Sequence, residues 1–127
     1  MEKKNLKKLI EELEFKCVTG VNLLDKEPKW AYVSDLLSDV MGKAQPQMIW
    51  VTSQIHKNIV AVASLIDLSA IVIVNERKPD ENMLKLAEEE GVVVLTSDKP
   101  AFETAGMLYR DLAPQPPKGK RGVFKRT

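Results

Sequence analysis

The sequence predicts an α/β protein, a three-layer α/β/α sandwich around a mostly parallel sheet of about five strands. Two observations carry this. Short apolar runs rich in β-branched residues recur, notably Met48-Ile49-Trp50-Val51 and Ala70-Ile71-Val72-Ile73-Val74, as strands buried on both faces require. The runs beginning at Trp30, Met48, Ala70 and Val92 are spaced by 18, 22 and 22 residues, which leaves room for a crossover helix after each.

The elements follow in order. Leu6, Leu9, Ile10 and Leu13 fall on one face of a helix over residues 5–14, with Lys7/Glu11 and Lys8/Glu12 as i,i+4 pairs on its wet side. Phe15-Lys16-Cys17-Val18 suits a short strand, and the polar loop after it is broken by Gly20 and Pro28. Trp30-Ala31-Tyr32-Val33 is the next strand. Ser34 is placed to cap a helix burying Leu36, Leu37, Val40 and Met41, which Gly42 ends in the left-handed conformation. Residues 48–75 form the central unit of strand, polar turn, helix and strand. Ile59, Val60 and Val62 suit a strand as well as a helix, and the length of the crossover decides for the helix. Pro79 reads as a first-turn proline of a helix holding Met83, Leu84 and Ala87 inward, with Gly91 as its stop. Val92-Val93-Val94-Leu95 is the last strand, and Pro100 starts a helix with Ala101, Phe102, Ala105, Leu108 and Leu112 inward.

Size and charge limit the function. A chain of 127 residues makes one domain, here residues 1–112, followed by a basic tail over 113–127 rich in Pro and Gly and expected to be disordered. The tail carries five basic residues and no acid, which leaves −4 on the rest of a chain whose net charge is +1. An acidic body argues against a nucleic-acid face on the domain, so such binding is left to the tail. No run approaches the roughly 18 apolar residues of a spanning helix, and the expected setting is the cytoplasm, with no membrane partner. One cysteine and one histidine provide neither a disulfide framework nor an ordinary zinc site, and no metal or cofactor is expected. There is no G-x-G-x-x-G, no Walker-type phosphate loop and no G-x-S-x-G elbow.

Parallel strands present their carboxyl ends to one rim. Ser34 and Asp35, Thr52, Gln54, His56 and Asn58, Asn75, and Thr96 and Ser97 are therefore expected along one sheet edge, as candidate contacts for a small anionic or nucleotide-like ligand. Lys57, Arg77 and Lys99 add positive charge there. Ser34, Ser53 and Ser97 read as helix caps before ligand contacts, and His56 reads equally as a ligand contact and as a surface or helix-start histidine. A small hydrolase or transferase using Asp35 and His56 is the enzymatic alternative, and a docking module that needs no ligand is the structural one.

At these rim residues the chain resembles the stand-alone DRTGG-domain proteins. The resemblance rests on Tyr32-Val33-Ser34-Asp35-Leu36-Leu37-Ser38-Asp39-Val40-Met41, on Gln54-Ile55-His56-Lys57-Asn58-Ile59-Val60-Ala61-Val62-Ala63-Ser64, and on Pro100-Ala101-Phe102-Glu103 with Ala105-Gly106. It covers residues 5–112 and extends to the N-terminal domain of HPr kinase/phosphorylase. It implies an α/β/α sandwich and a regulatory sensing or assembly role, with a homodimer and an adenine-nucleotide-like ligand, and it does not imply kinase activity; a protein partner belongs to the docking alternative. The loop that should carry the family's name reads Leu24-Asp25-Lys26-Glu27-Pro28-Lys29-Trp30 and lacks Arg-Thr-Gly-Gly.

Overall fold

The computed structural model describes residues 3–112, so the tail predicted over 113–127 lies outside the described residues. The chain runs α1 (Leu6–Leu13), β1 (Lys16–Thr19), a 3-10 turn (Val21–Leu23), β2 (Trp30–Val33), α2 (Leu37–Lys43), β3 (Met48–Thr52), α3 (Asn58–Ile66), β4 (Ala70–Ile73), α4 (Glu81–Glu90), β5 (Val94–Thr96) and α5 (Ala101–Leu112). The sheet order is β1-β5-β4-β3-β2, with β2 to β5 parallel and β1 antiparallel on the edge beside β5. The three-layer reading with a mostly parallel five-stranded sheet holds.

The topology decides which face each helix covers. From β2 to β5 every crossover steps one strand in the same direction, so connections of one hand place α2, α3 and α4 on the same face. Val40, Ile59, Val60, Ala63, Met83 and Ala87 meet Met48, Trp50, Ile71, Ile73 and Val94 there. The alternate residues Ile49, Val51, Ala70, Val72 and Leu95 pack on α1 and α5 on the other face. Every residue of β3 and β4 is buried, which is why their sequences read as unbroken apolar runs.

Gly20, at the end of the antiparallel β1, lets the chain pass close against Val93. Its φ is +77°, and a Cβ added there would stand 2.8 Å from Val93 Cγ2 and 3.0 Å from Val93 Cα. Only glycine allows that approach. The buried Thr19 hydroxyl locks the pair by donating to the Val92 carbonyl (2.8 Å) and accepting from the Val94 amide (3.0 Å).

Several local expectations are corrected. Helix α2 starts at Leu37 after an uncapped Leu36, and Ser34 Oγ instead accepts from the Leu36 amide (3.1 Å) within the loop. Gly42 stays helical, and α2 closes at Ala44 with extended backbone. Of the four residues assigned to the inner face of α2 only Val40 is buried, whereas Leu36 and Met41 are exposed. Val40 anchors this seven-residue edge helix with Leu37 partly buried beside it, and Tyr32 holds it from below by donating to Asp39 (2.9 Å). Pro79 precedes the start of α4, whose N-cap is Asp80. The last strand begins two residues late, at Val94. Phe102 is not inward but 89% exposed, and Thr104 takes the inner position with Leu108 and Leu112. On α1, Lys8 pairs with Glu12 (3.7 Å), as does Lys4 (2.6 Å), and no ion pair joins Lys7 to Glu11. No helix among the described residues is long and apolar enough to cross a membrane.

Candidate functional site

The carboxyl ends of β2, β3, β4 and β5 share one rim, and two of its corners are built differently. At the first, Asp35 follows β2 and reaches over the end of β3. Its carboxylate accepts from the Thr52 hydroxyl (2.8 Å), the Ser53 amide (2.7 Å) and the Ser53 hydroxyl (2.9 Å). The Asp35 carbonyl accepts from Gln54 Nε2 (3.0 Å), and the Ser34 carbonyl from the buried Trp50 indole (2.8 Å). Arg77 crosses from the loop after β4 and donates to the Ser53 carbonyl (2.9 Å). The Ser53 amide holds the Asp35 carboxyl below the usual carboxylate range. The Thr52 and Ser53 hydroxyls and the Arg77 charge add to this, against an opposing effect of burial. Asp35 is therefore a fixed anion stapling two loops together, and its hydrogen-bonding capacity is largely filled.

At the second corner the backbone makes the connection. Connections after the neighbouring strands β4 and β5 leave toward opposite faces, the arrangement that opens a crevice in doubly wound sheets. Here the crevice is bridged. The Asn75 amide donates to the Lys99 carbonyl (2.9 Å) and the Glu76 amide to the Ser97 carbonyl (3.0 Å). Asn75 and Glu76 reach these positions through consecutive left-handed conformations, φ 65° and 59°. Asn tolerates that region, whereas Glu76 occupies it against its preference. Ser97 is buried, sharing a hydrogen bond with Thr104 (3.0 Å) and accepting from the Lys99 amide (3.2 Å).

Between the corners, on the α5 side of the sheet, lies a cavity of about 120 Å³. Val33, Val51, Val74 and Ala101 form its apolar wall, and Ser34, Asp35, Thr52, Ser53 and Asn75 its polar one. The sequence thus names four residues that converge on it: Ser34, Asp35, Thr52 and Asn75. Gln54 stands behind them on the Asp35 carbonyl. Ser97 and Thr96 are placed apart, Ser97 against Thr104 and Thr96 in the ladder between Lys16 and Ile73. His56 and Asn58 are exposed at the start of α3 and line no part of the cavity, although Asn58 borders a separate surface groove between α3 and α4. No hydrogen bond joins His56 to Asp35 among the described residues, and the carboxylate that a hydrolytic pair needs is already engaged.

In sequence Ser53 reads as a rim residue more suited to capping than to ligand contact, and Ala101 as one of the inward residues of the last helix. A hydroxyl pair closing a buried strand, Thr52-Ser53, was the available signal for the first. The second depends on α5 returning across the sheet, which no local pattern announces. Burial, with the Glu88 charge adding to it, pushes the Cys17 thiol upward, and Cys17 does not line the cavity.

A family model described as the DRTGG domain matches residues 8–110 of this chain. No curated protein matches it. Among solved structures it is similar to the CBS and DRTGG domains of the regulatory region of Clostridium perfringens pyrophosphatase, a structure complexed with its activator, diadenosine tetraphosphate. That similarity has a TM-score of 0.68 at 16% identity and covers 88% of this chain. The chain spans 47% of the matched one, so it corresponds to about half of that regulatory region.

Proposed function

The chain belongs to the DRTGG domain family, and from that premise we propose that it is a non-catalytic regulatory domain which binds a nucleotide-like ligand at the rim cavity and takes part in subunit assembly. The observation that carries the ligand half is the cavity itself, where an apolar wall faces fixed polar groups.

Its size and charge specify how a ligand would sit. About 120 Å³ is below the ~300 Å³ at which drug-sized pockets begin, so the cavity takes one ring or sugar and leaves the remainder on the rim. The Asp35 carboxylate repels a phosphate inside it, and so the neutral end of the ligand enters. The Ser34 hydroxyl and the Asn75 side-chain carboxamide offer both donors and acceptors to it. Phosphates then lie outward, towards Arg77 and Lys99, the cations of the neighbouring loops. The bound activator of the pyrophosphatase structure motivates adenine nucleotides as first probes.

Thermal shift with adenosine, AMP, ATP and diadenosine tetraphosphate tests the reading. A ligand at a hundred times its dissociation constant stabilises by about 2.7 kcal/mol. Asn75→Gly keeps the left-handed backbone and its bond to Lys99, removes only the side-chain carboxamide and is expected to weaken binding about tenfold. Absence of any shift across the series overturns the ligand reading.

A further inference from the structure

We propose that α5 pairs antiparallel with α5 of a second copy of this chain, across a two-fold axis passing at Gly106; this deepens the assembly half of the function proposed above and rests on it. Helix α5 buries Thr104, Leu108 and Leu112 against the sheet. Its opposite side exposes Phe102, Glu103, Gly106, Tyr109 and Arg110. These positions are Gly106 and its neighbours three and four residues away on either side, which makes them one continuous surface of a helix. Phe102 is 89% and Tyr109 56% exposed, and although Tyr109 keeps its ring 5.4 Å from that of Trp30, the described residues leave a large aromatic area uncovered there.

Three features of that surface select a second copy as its occupant. The first is charge. Glu103 lies in the first turn and Arg110 in the last. An antiparallel pair centred on Gly106 brings each Glu103 to the end of the helix where Arg110 of the second copy lies, whereas a parallel pair stacks like on like. The second is shape. Phe102 protrudes at one end of the surface, and a groove of about 220 Å³ opens at the other between α5 and the edge strand β2, lined by Trp30, Ala31, Val33, Ala105 and Tyr109 among others. The two-fold carries Phe102 of each copy towards the groove of the other, beside Arg110, where its ring also meets the guanidinium. The third is the glycine. A Cβ on Gly106 would meet nothing within 4 Å, so no contact among the described residues calls for glycine in the middle of this helix. Close approach of a second helix does.

Sedimentation of the full chain is expected to give twice 14.3 kDa. Gly106→Arg is expected to abolish the dimer while circular dichroism and dilute-solution melting stay intact, because the new side chain projects into open space. Glu103→Arg and Arg110→Glu each weaken the dimer, and mixing these two variants restores it as a heterodimer, since every facing charge is then opposite. A dimer indifferent to Gly106→Arg, or variants that do not recover on mixing, overturns the α5 surface and leaves assembly through some other face. A monomer at all concentrations overturns both, and neither outcome bears on the nucleotide shifts that test the rim cavity.

Discussion

The two corners of the rim solve one problem, holding loops from neighbouring strands together, by opposite means. At the β2–β3 corner a single side chain, Asp35, accepts three hydrogen bonds from the next loop. At the β4–β5 corner the main chain does it, through the Asn75 and Glu76 amides and two left-handed residues. The difference teaches where each corner is vulnerable. The first depends on one ionised group and so on pH and on one substitution. The second is insensitive to charge and carries local backbone strain instead.

Asp35→Ala is expected to have the largest effect, about 2 kcal/mol of destabilisation in denaturant unfolding, because it strands the buried Thr52 hydroxyl and the Ser53 amide. Solvent access to the carboxylate keeps the loss at that level rather than above it. The acid limb of stability comes next. The Asp35 pKa is depressed in the folded state, so its contribution is fully present above the unfolded value and is lost as pH falls through the folded one. Asp35→Asn should flatten that limb, and an unchanged acid profile would show that the staple does not depend on charge. At the other corner Ser97→Ala should cost about 1 kcal/mol, with no change in pH dependence, by removing the partner of Thr104 and of the Lys99 amide. The smallest effect runs the other way. Glu76→Gly relieves a left-handed glutamate and should stabilise by about 0.5 kcal/mol, the residue of a 1–2 kcal/mol strain offset by the entropy of glycine. A loss of stability there would mean that the Glu76 side chain holds the corner after all.

The same division separates what was legible from what was not. Trp30, Met48 and Ala70 begin their strands where the sequence places them, and Ser34, Asp35, Thr52 and Asn75 gather as the parallel reading requires. His56 was put on the correct rim by the same logic but stands outside the cavity, because a turn residue can face either side of the sheet it leaves. Phe102 satisfied a helical stripe and is exposed, since Thr104 fills the inner position by bonding Ser97, a partner seven residues away that periodicity does not register.

By itself the sequence determined the layers, the direction of four strands and the edge on which polar residues collect, because runs buried on both faces and crossover lengths are local properties of the chain. Only the tertiary structure decided that β1 runs antiparallel beside β5, that Asp35 is satisfied by Thr52 and Ser53, and which face of α5 the other described residues leave uncovered. Each of those depends on which segments, distant along the chain, come within a few ångströms of one another, and pairings of that kind leave no period in the sequence.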